Sequence, residues 1–532
     1  VTQETNEEAS VSGEGRLRVG LILSGAVQPR WRRKLIKSLV DSPDCTLAAR
    51  VVSVVPPAES ARQGLFGLYC ELDRRRFGGG ARAVEPVDAS DLLAHVPVVE
   101  PEALRELKLD VLLCLAPEST AAFAVDAARF GVWAIRLDGA ESESPTAAAA
   151  RAVLGGSPTA SASLVRLDGG PILEARLKTD RLSTHRHLDH LANVAAEFVP
   201  RALARLRSEG RLPSPADSPS QPPTISEPPA AAETTRLATA FGGRLAAEGL
   251  RRAWRRDQWV LAYSMNGTWS GGLPDLSSLR LLYPPADRFW ADPFPARIDG
   301  RNYIYFEDYP YSTRRGVISV LEIDDQGQAG PSRLALETDF HLSYPVILPW
   351  EGAIYMIPET SQNGRVELYR CEGAPDRWVF DRVLIPDVRA ADSTLVEHGG
   401  RWWLFACIPA EGAHNDVEEL HLFHAPSPMG PWRPHRCNPV KSDVSSARPA
   451  GGLYQVDGVW HRPAQDCTFG YGHAMVVNRI VRWDVDGYEE VEAGRIEPDW
   501  APGLDRTHTF NALGSFFTAD ARISRPRLGG AG

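Results

Sequence analysis

A few ionisable residues recur at fixed places in the second half of this sequence. Asp292, Tyr344 and Asp392 each stand eight residues before a glycine, namely Gly300, Gly352 and Gly400, and Ala450 holds the same place before Gly458. Seven residues after those glycines come Glu307, Glu359, Cys407 and Gln465, with Asp466 next to the last. His341 and Arg448 stand just ahead of two of the units, and His508 lies in a weaker fifth unit, Arg506-Thr-His-Thr-Phe-Asn-Ala-Leu-Gly514. Carboxylates gathered at one point raise one another's pKa, which suits general acid/base work. Imidazole and carboxylate together could also hold a metal ion, although this spacing does not select that use. An Asp before Pro, as at Asp292, also caps turns; its place in the repeat favours a functional role.

The elements that must position these residues follow from the frame. Each unit reads as a strand, a tight glycine hairpin and a second strand. Third strands are expected at 316–323, 366–370 and 420–424. The interval is roughly 50 residues, which is a propeller period. The segment 259–264 could supply the outer strand that the fifth unit lacks, closing the ring and removing exposed sheet edges. The expectation is an all-β five-bladed β-propeller over 258–525. The first strand of each blade lines the axis, so the recurring residues meet at one mouth.

The first half reads differently. Apolar strands at 17–23, 48–55, 110–116 and 131–135 alternate with helical stretches at 31–39, 121–130 and 183–207. This predicts a doubly wound α/β domain over 16–207. Residues 1–15 and 526–532 read as tails, 208–235 as a Pro/Ser/Ala-rich linker and 236–257 as a helix. The chain has 532 residues, with 43% hydrophobic and 24% charged, ordinary values for globular protein. The formal charge of −10 argues against a nucleic-acid partner. No apolar run approaches the ~20 residues of a membrane span. Seven cysteines without a CxxC pair fit reduced thiols and a cytoplasmic setting.

Phe289-Trp-Ala-Asp-Pro-Phe294, His341-Leu-Ser-Tyr-Pro345, Tyr355-Met-Ile-Pro-Glu359, Pro428-Met-Gly-Pro-Trp432 and Arg462-Pro-Ala-Gln-Asp466 carry a resemblance. They resemble the N-terminal domain of the plant glucosamine inositolphosphorylceramide transferases and bacterial relatives. That domain is similar to the five-bladed propeller glycosidases of the arabinanase/xylosidase and invertase/levansucrase groups. The resemblance implies that Asp292 is base or nucleophile and that Asp392 tunes the acid. The fourth-blade Glu that such glycosidases use as proton donor is absent, since the segment reads Ser446-Ala-Arg-Pro-Ala-Gly451. Glu359 or Asp466 would then serve as acid, or Arg448 would bind an anionic group in another reaction. The N-terminal region resembles the formyltransferase fold through 109–116, Ala127-Ala-Arg-Phe-Gly-Val-Trp133 and Leu164-Val-Arg-Leu-Asp-Gly-Gly170. That family's catalytic Asn-x-His falls where this chain has Ala134-Ile-Arg-Leu137, and its later Asp is also missing. A non-formylating scaffold, or a surface for a protein partner or self-association, is the expectation.

The catalytic candidates are therefore Asp292, Asp392, Glu359 and Asp466. The substrate-binding candidates are His341, Tyr344, Arg448, Gln465, His508 and Glu307. Tyr471, His473 and the Trp402-Trp403 pair read as packing rather than as sugar-stacking platforms. Three readings stand: a glycoside hydrolase-like enzyme on a sugar-like small molecule, a non-catalytic glycan-binding module, and a cyclase, lyase or group-transfer enzyme of bacterial secondary metabolism. None requires a cofactor, and a metal ion at the propeller axis is compatible with each.

Overall fold

The structure, a computed structural model, describes residues 15–53, 64–79, 82–124, 126–141, 145–212, 227–373, 375–413 and 415–526. The chain divides into two compact units, Val1–Leu245 with Ala410–His414, and Ala246–Pro409 with Asn415–Gly532.

The first unit is a layered α/β domain. Its sheet runs Cys45–Val52, Leu17–Leu23, Val111–Leu115, Val132–Leu137, Thr159–Arg166 and Pro171–Lys178 in spatial order. The first four strands are parallel, and the last two form an antiparallel edge. Alternate residues of Leu17–Leu23 pack into two different cores, Leu21 on one face and Ile22 on the other. Both faces of the sheet are thus covered, as a mostly parallel sheet requires. Two helical expectations change. The stretch at 121–130 is not an α-helix; a 3₁₀-helix, Glu118–Ala124, takes part of its place. The stretch at 183–207 is two helices, Thr184–Ala195 and Phe198–Glu209. Pro200 explains the break, because proline lacks the N–H that a continuous helix would need but is tolerated in a first turn.

A 24-residue helix, Ala231–Trp254, joins the two units in sequence. It takes the last residues of the expected linker, because the run Ala230-Ala-Ala-Glu233 follows directly on Pro228-Pro229 and favours helix. The strand that follows, Arg255–Ser264, begins two residues before the expected helix end. The central part of that linker and most of both tails lie outside the described residues.

The second unit is a five-bladed β-propeller. Blade one comprises Arg288–Ile298, Arg301–Pro310, Val317–Ile323 and Arg333–Leu336. Blade two comprises Ser343–Trp350, Ala353–Glu359, Val366–Cys371 and Trp378–Ile385. Blade three is built on Ala391–His398, Arg401–Cys407 and Glu419–Ala425, and blade four on Tyr454–Val456, Val459–Asp466, Ala474–Trp483 and Tyr488–Ile496. Blade five takes Phe510–Leu513 and Phe516–Pro526 from the end of the chain. Its outer strands, Arg255–Ser264 and Arg280–Leu282, come from before blade one. The closing pair is antiparallel and runs from Arg255 opposite Pro526 to Ser264 opposite Phe517.

The hairpin glycines act as the repeat requires. Asp299-Gly300, Glu351-Gly352, Gly399-Gly400 and Asp457-Gly458 all have positive φ at both positions, the turn that matches strand twist. Apolar side chains from facing blades fill each of the five interfaces. Tyr305 meets Trp378 between blades one and two, and Leu348 shares a cluster with Leu404 between two and three. Phe405 meets Tyr488 between three and four, Met475 clusters with Phe517 between four and five, and Leu261 with Phe306 between five and one. These contacts hold the inner strands in a ring and so fix the residues at their starts.

Candidate functional site

The inner strands of the first three blades share a local distortion. The ladder slips between Ala291 and Phe294, between Ser343 and Val346, and between Ala391 and Thr394. The residues inside these bulges, Asp292, Tyr344 and Asp392, have φ of 50°, 46° and 53°. Left-handed backbone outside glycine costs on the order of 1 kcal/mol or more per residue and gathers at functional sites. A bulge also re-aims a side chain. At blade four the corresponding strain falls on Gly451, φ 120°, where a Cβ would run into the Phe510 carbonyl.

The bulges hand their amides to carboxylates of neighbouring blades. Asp292 N–H donates to Asp520 Oδ2 at 3.1 Å, and Asp392 N–H donates to Glu359 Oε2 at 3.1 Å. Asp292 Oδ1 accepts the Thr509 hydroxyl at 2.6 Å and lies 3.4 Å from His508 Nε2. Asp520 Oδ1 accepts the N–H groups of His508 and Thr509, both at 3.0 Å. Its Oδ2 is 2.8 Å from His508 Nδ1, but off the line a hydrogen bond needs.

On the other side of the axis, Arg448 binds Asp392 through Nε at 2.6 Å and Nη2 at 3.3 Å. The same guanidinium lies 3.5 Å from Glu359 and 3.2 Å from the Asp416 carboxylate. Gln465 Nε2 donates to Asp392 at 2.8 Å and to the Pro449 carbonyl at 3.0 Å. The Tyr471 ring covers Arg448 at 5.0 Å and meets His508 edge-on at 5.2 Å. Tyr471 is 40% exposed, whereas Asp292, Asp392, Asp520 and Arg448 are buried.

The electrostatics follow from this crowding. Burial first, and then Asp392 and Asp520, push the Asp292 carboxyl up to about 6, against the pull of His508. Burial raises Glu307 well above the carboxylate range, with Asp292, Glu359, Asp392 and Asp520 adding to it. Burial and Asp392 likewise raise Glu359, although Arg448 opposes them. Burial alone would lower His508; Asp520 and Asp292 outweigh it and raise it. Burial lowers His341, whose Nδ1 accepts the Gly316 N–H at 2.9 Å and whose Nε2 is 3.5 Å from Glu307.

Of the residues singled out from sequence, Asp292, Glu307, Glu359, Asp392, Arg448, Gln465 and His508 come together, with His341 beside Glu307. Tyr344 is fully buried under the site. Its hydroxyl is taken by the Gly451 N–H at 2.6 Å and by Thr394 at 2.7 Å, so it braces the bulges rather than facing a ligand. Asp466 does not join the cluster. It pairs with Arg495 and accepts the Thr468 N–H at 2.9 Å. Strand alternation is the reason, since the neighbouring Gln465 points at Asp392. Tyr471, read as packing, stands exposed beside the cluster.

Asp520 and Thr509 were missed. Asp520 follows the fifth-blade glycine by six residues rather than seven, so the repeat frame does not mark it. Ligand atoms of Asp292, His508 and Asp520 all lie within 4.8 Å of one another, close enough to converge on one cation. This donor set, one imidazole and two carboxylates, suits a divalent metal.

Residues 282–498, which span blades one to four, match the family described as "Glucosamine inositolphosphorylceramide transferase 1, N-terminal". The propeller of this chain resembles that domain. Over 212 residues the chain is 37% identical to glucosamine inositolphosphorylceramide transferase 1 of Oryza sativa subsp. japonica, covering 39% of this chain and 28% of that protein. Over 207 residues it is 33% identical to the Arabidopsis thaliana protein of the same name, covering 38% of this chain and 27% of that one. The matched segment thus spans under a third of those relatives. Among solved structures, similarity extends to Zg3597, a family 117 glycoside hydrolase of Zobellia galactanivorans. The match has 16% identity and a TM-score of 0.33, over 51% of this chain and 91% of that one. Another is the Cellvibrio cellulosa alpha-L-arabinanase complexed with arabinohexaose, at 13% identity and TM-score 0.30, over 38% and 77% of the two chains. Among the described residues no helix is long and apolar enough to cross a membrane.

Proposed function

We propose that the axial cluster is the active site of an enzyme acting on a glycoside or sugar-like small molecule. The supporting observation is that buried carboxyls in one cluster are pushed to different pKa values, Asp292 to about 6 and Glu359 well above its ordinary range. Such a separation assigns a base and an acid. Asp292 then acts as base or nucleophile, and Glu359 donates the proton to the departing oxygen. Asp392, held by Arg448 and Gln465, helps keep Glu359 protonated. The choice of Glu359 over Asp466 follows from Asp466 being tied to Arg495.

A divalent cation held by Asp292, His508 and Asp520 would be a competing use of these groups, since it would keep Asp292 ionised and occupied. In the N-terminal unit, we read the α/β domain as formyltransferase-like and non-catalytic. Arg136, in the stretch where the catalytic pair would fall, is bound to Glu118 through Nε at 2.9 Å and Nη2 at 2.8 Å.

The test is turnover of a panel of aryl glycosides by wild type, Asp292→Asn and Glu359→Gln. Loss of the acid should slow poor leaving groups by about 10²–10⁴-fold and spare good ones. Absence of turnover by wild type would sink the hydrolytic reading. One observation favours a second, non-hydrolytic reading. The fourth blade offers Arg448 in place of an acid, and that guanidinium is already engaged by three carboxylates. Saturable sugar binding without any turnover would point to that reading.

A further inference from the structure

The axial cluster has two halves. Asp392 and Glu359 gather around Arg448, whereas Asp292 and Asp520 gather around His508. Tyr471 touches both halves. The Arg448 guanidinium lies over its ring, 5.0 Å from the centroid, and the His508 ring meets it edge-on at 5.2 Å. It therefore stands beside the partners of Asp292 and of Glu359 alike. Yet the residue is 40% exposed, and its hydroxyl makes no hydrogen bond among the described residues. A tyrosine kept for packing is buried and finds a partner for its O–H.

The loop that carries Tyr471 holds it there. The residue sits between Gly470 and Gly472, whose φ values are 127° and 59°. A Cβ at Gly470 would stand 2.8 Å from Arg506 Nη2, and one at Gly472 would stand 2.7 Å from His508 Cβ. The glycines let the backbone lie against blade five, but they also give the loop freedom that it must lose on folding. Arg506 removes that freedom. From the strand Leu504–Arg506, its Nη1 donates to the Tyr471 carbonyl at 3.0 Å and its Nη2 to the Phe469 carbonyl at 3.3 Å. The Gly470 amide closes a turn onto the Cys467 carbonyl at 3.1 Å. A part-exposed aromatic ring fixed in advance lets a ring-shaped ligand pack against it with little further ordering.

We propose that Tyr471 is the specificity-determining platform of this site, on which a sugar ring packs its face of C–H bonds, and that Arg506 is the positioning residue that holds the platform. This rests on the reading of the axial cluster as a sugar site. It adds what selects the ligand, namely a closed ring with an apolar face rather than any polyhydroxylated molecule. The platform acts by binding and takes no part in proton transfer.

Titration of the full chain with methyl xylopyranoside, methyl glucopyranoside and the open-chain polyol sorbitol, followed by calorimetry and by proton NMR of the ligand, tests it. A pyranoside should bind about tenfold or more tighter than sorbitol, the usual return of an aromatic contact. Its ring C–H resonances should move upfield in the complex, because they lie over an aromatic face. Tyr471→Leu, which still covers Arg448, should weaken that binding about tenfold and abolish the upfield shift, while Tyr471→Phe should keep both. Arg506→Met should weaken binding and reduce the shift. For any aryl glycoside that is turned over, Tyr471→Leu and Arg506→Met should raise KM and leave kcat within a fewfold. Unchanged binding and shift in Tyr471→Leu, or equal affinity for pyranosides and sorbitol, overturn the proposal and leave the sugar site standing. Wild-type behaviour of Arg506→Met overturns the role of Arg506. Should Tyr471→Leu fail to fold, a wild-type complex without the upfield shift overturns the proposal by itself. Failure of every pyranoside to bind brings down both the platform and the sugar site.

Discussion

Replacing Arg448 by methionine should destabilise the propeller more than any other single change at the axis. Arg448 is 5% exposed and anchors Asp392, which is 1% exposed, through two nitrogens, with Glu359 at 3.5 Å. Removing one partner of a buried ion pair costs about 3–5 kcal/mol, because the other charge stays buried and unpaired. Asp392 keeps the Gln465 amide at 2.8 Å, which places the expectation near the lower end, ~3 kcal/mol. At about 2–4 °C per kcal/mol, the propeller transition should fall by roughly 6–12 °C at pH 8. Scanning calorimetry on the full chain would resolve it. Adding Asp392→Asn should recover much of the loss, because removing both charges is far milder than removing one. A shift under about 2 °C, or a double variant no better than Arg448→Met, would refute the claim that this guanidinium holds the axis together.

Four further outcomes follow from the same geometry. Activity should rise with pH through about 6 as Asp292 loses its proton, and fall at higher pH as Glu359 does; a flat profile of kcat/KM would contradict these roles. With regard to stability, the raised Asp292 carboxyl favours the folded state at low pH, and this contribution is lost as pH rises from the ordinary value of 3.8 through about 6. Asp466→Asn should leave turnover within a fewfold of wild type and cost only about 1 kcal/mol, because its partner Arg495 is partly exposed. Calcium or manganese at a hundred times its dissociation constant should stabilise the protein by about 2.7 kcal/mol if the Asp292, His508 and Asp520 group holds it, and Asp520→Asn should remove that gain.

The propeller was legible because a two-residue turn with positive φ demands Gly at a fixed place, and four blades meet that demand in a constant frame. The bulges were legible only as a coincidence of position. Nothing in Asp292, Tyr344 and Asp392 as residue types announces a shared left-handed backbone, yet the frame had already aligned them. The frame failed at Asp466, where naming two adjacent strand residues ignored that they face opposite ways. It failed again at Asp520, because the fifth-blade turn is Gly514-Ser515, with the counted glycine first, whereas in the other four blades it is the second turn residue. Arg448 was placed correctly, but its partners were not legible. The three carboxylates around it come from two other blades and a loop, and only folding brings them within reach.

The ring closure has a consequence for how the protein is made. Strand Arg255–Ser264 leaves the ribosome roughly 250 residues before Phe516–Pro526, the partner against which it lies in the finished ring. At a synthesis rate of 5–20 residues per second, it waits about 10–50 s with that edge unpaired. The axial carboxylates wait as well, since Asp292 comes early in the ring segment and His508 and Asp520 come late in it. Blades one to four can therefore form during translation, while assembly of the axial cluster is deferred until the strands of blade five have been made.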